Sequence, residues 1–208
     1  MSRQLFIIRH GETELNLQGI VQGRGVDPSL NETGRKQADL FYEHYKAESF
    51  DAVFTSSLRR THESVSRFIA DGIPWHQFKE LDEISWGIFE GKRASADFKA
   101  LYRSLLENWL KGEMDRKAPG GESPKEVQLR QIRFLEFFLQ HPAKKTLLCM
   151  HGRAMRIFLP TLLQQSLLTM DQFPHHNLTL YKLNLSNNRF AIELFNNMDH
   201  LHSLTDHH

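Results

Sequence analysis

The chain has 208 residues, enough for one domain with a full hydrophobic core. Hydrophobic residues make up 40% and charged residues 25%, and 15 Phe, 4 Tyr and 3 Trp demand an interior, which excludes a disordered chain. A net charge of +1 leaves no footprint for nucleic acid or an anionic membrane as partner. A single cysteine, Cys149, excludes a disulfide scaffold or a cysteine-rich zinc site.

Taken in chain order, Leu5-Phe6-Ile7-Ile8-Arg9 reads as a strand buried on both faces that stops at His10-Gly11. Gly19, Gly23, Gly25 and Pro28 mark a loop. Thr33 is the expected N-cap of a helix with an apolar face through Ala38, Phe41 and Tyr45. A short strand is expected over 52–55, a helix over 58–69 closed by Asp71-Gly72 and Pro74, and a further strand over 75–80. Residues 95–110 predict a helix ending at Lys111-Gly112, before a loop at 117–121. Ser123, Pro124 and Glu126 form the pattern of a capping box with proline at the first helical position, and that helix should run to Gln140 and stop before Pro142. A second buried strand over 146–150 ends at His151-Gly152, followed by a helix over 153–165. A terminal hairpin, 177–185 with 190–195, is expected to turn at Ser186-Asn187-Asn188.

Apolar runs such as 5–8 and 147–150 are too short for a signal-peptide core or a membrane span, so the cytoplasm is the expected location. Strands alternating with helices predict an α/β fold with an open, mostly parallel sheet and helices on both faces. In such sheets ligands bind beyond the carboxyl ends of the strands. Two buried strands here deliver His-Gly at that end. An arginine beside the first of them, Arg9, suits a phosphate or carboxylate, because its planar fork binds such anions in bidentate fashion. Arg60, at the start of the expected 58–69 helix, supplies a second fork aided by the helix N-terminus. Either histidine alone would equally fit a hydrogen-bonded core residue.

Six segments together carry a resemblance. They are Ile7-Ile8-Arg9-His10-Gly11-Glu12-Thr13 with Asn16; Leu30-Asn31-Glu32-Thr33-Gly34-Arg35-Lys36-Gln37-Ala38; Thr55-Ser56-Ser57-Leu58-Arg59-Arg60-Thr61; Leu81-Asp82-Glu83 with Gly87 and Glu90-Gly91; Gly120-Gly121-Glu122-Ser123; and Met150-His151-Gly152. In this order the chain resembles the histidine phosphatase superfamily, also called the phosphoglycerate-mutase-like family, from Leu5 to about Phe195. The resemblance implies a single domain over 1–208, a three-layer α/β/α fold with a mostly parallel central sheet, and a helical substrate cap around 92–123. It implies that His10 is the nucleophile and forms a phosphohistidine, that Arg9, Arg60 and His151 surround the transferring phosphoryl group, and that Glu83 donates a proton to the leaving oxygen. Asn16, Gln22, Gly23 and Gly152 would contribute to binding the substrate or its phosphate.

The chemistry is consistent with those roles. Phosphoryl transfer needs in-line positioning and stabilised charge on the equatorial oxygens, which two arginines and a second histidine supply without a metal or other cofactor. A nucleophilic histidine must be neutral, with its other nitrogen held as a donor, and an alkoxide leaving group needs a carboxylic acid beside it. Other readings stay open at this point. Glu83 could be a solvated surface charge, Asn16 an Asx-turn residue, and Gln22-Gly23 a plain turn, its geometry altered by Ser29 between Pro28 and Leu30. Arg59 competes with Arg60, although the resemblance, through the family's Ser-x-Leu-x-Arg pattern, implies that Arg60 is the pocket arginine. Arg153 stands where relatives carry a small or amide residue, and it either touches substrate or lies exposed on the helix. The pairs His175-His176, His200-x-His202 and His207-His208 lack accompanying carboxylates, so no metal site is expected and these histidines read as surface, core or tail.

The expected function is a metal-independent phosphatase acting on a small phosphorylated metabolite. The alternatives are a cofactor-dependent phosphoglycerate mutase and a non-catalytic binder of a phosphorylated ligand. The short stretch between Glu83 and His151, and Gly-Gly-Glu-Ser at 120–123, favour the phosphatase branch. A pure binder has no need of the acid.

Overall fold

The computed structural model describes residues 3–93 and 95–202. Six strands form one sheet: β1 (Arg3–Arg9), β2 (Ala52–Ser56), β3 (Trp75–Phe78), β4 (Lys145–Met150), β5 (Leu180–Ser186) and β6 (Arg189–Asn197). Their order across the sheet is β3-β2-β4-β1-β5-β6. The first four are parallel, with Arg9 opposite Met150 and Phe54 opposite Leu148, while β5 and β6 run antiparallel.

Alternation along the strands assigns side chains to two cores. Leu5 and Ile7 of β1, with Ala52, Phe54, Leu148 and Met150, face α6 (Pro124–Gln140) and α7 (Gly152–Leu162) through Phe134, Phe138, Met155 and Phe158. Phe6 and Ile8, with Val53, Leu147 and Cys149, face α2 (Glu32–Tyr45), α3 (Arg59–Ser64) and α4 (Ser66–Ala70) through Phe41, Tyr45, Val65 and Phe68. The three-layer α/β/α arrangement expected from the sequence is therefore present. A third core joins the carboxyl side of the sheet to α5 (Ala96–Leu110), where Trp86, Phe89, Leu105 and Trp109 pack with Ile157 and Met170. The Trp109 indole donates to the Arg116 carbonyl at 2.8 Å, which satisfies its one polar atom inside that core.

Several boundaries differ from expectation for local reasons. The N-cap of α2 is Asn31, not Thr33: its side chain accepts from the Gly34 N–H at 2.8 Å, so the helix starts earlier. The expected 58–69 helix breaks at Val65, whose φ of −122° and ψ of 14° separate α3 from α4. The strand expected over 75–80 ends at Phe78, because Lys79–Leu81 winds into a 3-10 turn. The helix expected over 153–165 is α7, which begins at Gly152 and stops at Leu162, before Gln164 takes a φ of 56°. The hairpin strand begins at Leu180 and not at 177. Asn187 and Asn188 both have positive φ, the backbone that a tight two-residue hairpin needs. A short helix the periodicity missed, α1 (Glu14–Leu17), is closed by a capping box between Thr13 and Asn16. Ser123 and Glu126 form their capping box as expected. Among the described residues no helix is long and apolar enough to cross a membrane.

Candidate active site

Strands β1 and β4 end side by side, and the His10 N–H donates to the Met150 carbonyl at 3.0 Å. His10 and His151 therefore meet just past the sheet, with ring centroids 5.2 Å apart. The His10 ring is buried, and its Nδ1 lies 2.7 Å from the Gly11 carbonyl. A carbonyl only accepts, so Nδ1 carries the proton and Nε2 is left as the bare lone pair. Burial first, then the charges of Arg60 and Arg9, hold the His10 pKa well below the ordinary histidine value, which keeps the ring neutral. Gly11 donates its N–H to Ser64 Oγ at 2.8 Å and passes so close to Gly34 that a Cβ would sit 2.7 Å from the Gly34 carbonyl oxygen. Only glycine lets β1 turn into the α2 region there.

Arg60 is fully buried and Arg9 is half-buried. Arg9 Nη1 donates to the His175 carbonyl at 2.7 Å and lies 3.3 Å from His175 Nδ1. Arg60 Nη1 donates to the Val26 carbonyl at 2.9 Å and stands 3.9 Å from Asp27. Arg60 Nη2 reaches the Gly23 carbonyl at 3.4 Å. The Nε of each has no partner. Burial lowers the pKa of Arg9 to about 10, still far above neutrality, so the guanidinium is charged. The competition between adjacent arginines is resolved by topology. Arg59 is exposed and reaches Ser29, while Arg60 is fully buried in the first turn of α3.

His151 is the N-cap of α7 and is fully buried, with Nε2 2.7 Å from Ser56 Oγ and Nδ1 unpartnered. Thr61 gives its own hydroxyl proton to the Leu58 carbonyl at 2.7 Å, and Ser56 Oγ accepts from the Leu58 N–H at 3.1 Å. The Ser56 hydroxyl then has two acceptors in reach, Thr61 Oγ1 at 3.0 Å and His151 Nε2 at 2.7 Å; the shorter contact favours donation to His151, which puts the proton of the neutral imidazole on Nδ1. Burial, with Arg60 and His10 next, keeps this ring neutral as well.

Glu83 is not a surface charge: it is 6% exposed and lies over the N-terminus of α7. Oε1 accepts from Ala154 N at 2.8 Å and Ile84 N at 2.9 Å, and Oε2 accepts from Arg153 N at 3.0 Å. Its neighbour Asp82 turns away to take the backbone N–H and hydroxyl of Ser57. Glu83, Arg9, His10, Asn16, Gln22 and Gly152 all line one cleft of about 170 Å³.

Asn16 is the third residue of α1, and its Oδ1 accepts from Thr13 N at 3.2 Å and from Asn177 Nδ2 at 3.3 Å. Gln22 Oε1 accepts from the Thr13 hydroxyl, while its Nε2 is buried and unpartnered. Gly23 does not line the cleft. It supplies the carbonyl toward Arg60, and a Cβ there would overlap the Glu90 carboxylate that ties down Gly25. The expectation that the paired histidines are surface, core or tail is corrected at His175. It lines the cleft, holds Arg9, and packs its ring where a Gly152 Cβ would come within 3.1 Å. No local pattern flags it, because its partner lies at the far end of the chain. Trp86, Tyr102 of α5 and Arg153 of α7 also line the cleft. Among the described residues no group of three or more His, Cys, Asp or Glu is arranged to hold a metal ion; the His207-His208 pair lies outside those residues.

Known proteins carry the same framework. The family model described as histidine phosphatase superfamily (branch 1) matches residues 5–198. A relative from Mus musculus named fructose-2,6-bisphosphatase TIGAR is 34% identical over 142 residues, 65% of this chain and 51% of that one, so the match spans about half of the longer relative. One from Yersinia enterocolitica named "Probable phosphoglycerate mutase GpmB" is 31% identical over 163 residues, 77% of this chain and 74% of its own. The crystal structure of the alpha-ribazole phosphatase from Shigella flexneri superposes with a TM-score of 0.82 at 22% identity, covering 93% of this chain and 96% of the other, which is a likeness of fold. With two His-Gly strand ends side by side, their rings 5.2 Å apart, and a family model spanning nearly every described element, the chain belongs to branch 1 of the histidine phosphatase superfamily.

Proposed function

We propose that this protein is a phosphoric monoester hydrolase that acts on a small phosphorylated metabolite, without a metal, through a phosphohistidine. The observation that carries the reading is the state of His10: neutral, with Nδ1 committed to the Gly11 carbonyl and Nε2 bare, in a cleft beside Arg9 and Arg60, whose Nε–H groups are both buried and unpartnered. Nε2 attacks phosphorus in line, the P–O bond to the leaving alcohol breaks, and Glu83 gives that oxygen its proton. Arg9, Arg60 and the Nδ1–H of His151 hold the equatorial oxygens, with Gln22 Nε2 and Asn16 at the rim. In the second half-reaction Glu83 takes a proton from water, which attacks the phosphohistidine and releases orthophosphate. The segment around 92–123 serves as a cap, with Tyr102 of α5 reaching into the cleft.

Relatives named as a phosphatase and as a mutase make the acceptor, water or a second alcohol, the point to test. Incubation with p-nitrophenyl phosphate in EDTA should release orthophosphate, and 3-phosphoglycerate with a bisphosphoglycerate primer should not be isomerised efficiently. Efficient isomerisation would make the chain a mutase, and neither reaction would make it a binder. The His10→Ala variant should lose turnover together with the acid-labile phosphoprotein; retained turnover would remove His10 as the nucleophile.

A further inference from the structure

Arg153 is the second residue of α7, and its backbone N–H is one of those holding Glu83. Its side chain does not leave for solvent: it is 7% exposed and lines the cleft on the Glu83 side. In the hydrolase reading above, that is the side from which the leaving alcohol departs. The guanidinium is fixed from three directions. Nη1 donates to Asp171 Oδ1 at 2.7 Å, the group stands 5.5 Å from the Trp109 ring centre and 5.9 Å from that of Trp86, and the Tyr102 hydroxyl interacts with it. Such pinning removes the side-chain entropy that a flexible arginine would lose on binding.

The local charge does not balance. Asp171 Oδ1 also accepts from Arg156 Nη1 at 2.8 Å, so one carboxylate serves two arginines. Arg156 is further committed to the Phe173 carbonyl through Nε. Arg153 gives a single N–H to Asp171 and interacts with the Tyr102 hydroxyl, which leaves donors of its fork uncommitted in a residue that lines the cleft. An arginine kept merely as a helix-surface ion pair would have no reason to be buried against the Trp86–Trp109 pair at the cleft wall.

We propose that Arg153 is a specificity-determining residue whose guanidinium binds a second anionic group, a carboxylate or a second phosphate, carried by the leaving alcohol of the substrate. The inference rests on the hydrolase reading and adds the substrate class. The cleft, at about 170 Å³, lies below the ~300–1,000 Å³ of sites for drug-sized ligands, which favours a compact phosphorylated acid.

The test is a comparison of kcat/KM within two matched pairs: O-phosphoserine against O-phosphoethanolamine, which differ by a carboxylate, and fructose 1,6-bisphosphate against fructose 6-phosphate, which differ by a phosphate. The wild-type chain should prefer the anionic member of one pair, and that pair identifies the anion. In Arg153→Met the preference should fall roughly ten- to a hundredfold, mainly through KM, as expected for the loss of a charged hydrogen bond. Arg153→Lys should retain part of it, since a lysine keeps the charge but not the fork, and it gives the same readout if the methionine variant does not fold. A fall shared by both members of each pair, with the ratios held, would make Arg153 a structural residue and overturn the proposal. A wild-type chain that hydrolyses p-nitrophenyl phosphate yet prefers neither anionic substrate overturns this inference alone. One that hydrolyses none of the substrates overturns the hydrolase reading and this inference with it.

Discussion

The two ends of the same four parallel strands treat charge in opposite ways. At the amino end, Arg3 gives Nε, Nη1 and Nη2 to the carbonyls of Ala143, Leu139 and Phe138 and lies 4.2 Å over the Phe138 ring. There too Asp51 accepts two backbone N–H groups at 2.8 Å and Lys145 pairs with Glu48 at 2.7 Å. At the carboxyl end, Arg9 Nε, Arg60 Nε, Gln22 Nε2 and His151 Nδ1 are buried with no partner. Away from the cleft, Thr146 Oγ1, Gln131 Oε1 and the neutral His200 ring also lack a side-chain partner, but an uncharged group costs far less to bury than a cation. The charged groups at the amino end are satisfied by the fold. Those left unsatisfied at the carboxyl end are suited to binding an anion, and the fold tolerates them because its hydrophobic cores carry the stability.

Substitutions should break this contrast in a definite order. Arg60→Met should lower kcat/KM by roughly a hundred- to a thousandfold, the scale of losing one charge-stabilising group at the reacting centre. Its urea midpoint should move little, because relief of a buried cation offsets the lost contacts to Val26 and Gly23. A large loss of stability would place Arg60 with the structural arginines. Glu83→Gln should slow alkyl phosphates on the order of a hundredfold more than p-nitrophenyl phosphate, whose leaving group needs little protonation. Equal losses on both substrates would remove the acid role.

Acid should probe the buried histidines. Burial lowers the pKa of His175 to about 3 and of His200 to about 4, whereas both titrate near 6.5 when unfolded. Between those values the unfolded chain binds more protons than the folded one, so stability is complete above 6.5 and falls as pH drops toward 4. The slope is roughly 1.4 kcal/mol per pH unit for each histidine. Urea midpoints at pH 7, 5.5 and 4.5 measure that slope, and His200→Phe, placed among Phe41 and Tyr45, should flatten it. A slope unchanged in that variant would assign the acid sensitivity elsewhere. The smallest effect belongs to the amino end. Arg3→Ala should cost about 1 kcal/mol of stability with kcat/KM unchanged, a mirror image of Arg60→Met, since its hydrogen bonds are part-exposed and remote from the cleft. Reduced activity at full stability would contradict the division.

Much of this was legible in the chain because it is local. Buried parallel strands are continuous apolar runs, so β1 and β4 and the His-Gly pairs that end them were visible at 5–11 and 146–152. The capping box at Ser123 and Glu126 is a four-residue pattern and formed as written. Errors came where two local signals compete. Asn31 displaced Thr33 as a cap because its side chain reaches Gly34, and Val65 broke a helix whose periodicity ran on unbroken.

Sequence by itself determined the strand ends, the glycines after them and the spacing that marks Arg60, because each is a property of adjacent residues. Only the tertiary structure decided that Arg60 and not Arg59 turns inward, that Glu83 is held by the N-terminus of α7, and that His175 and Arg153 belong to the cleft. Those facts depend on contacts between residues 18 to 166 positions apart, such as Asp171 on Arg153, Val26 on Arg60, Ala154 on Glu83 and Arg9 on His175, and on packing that removes water from charged groups. No periodicity in the chain encodes a contact at that separation; it exists only once the sheet has brought the strand ends together.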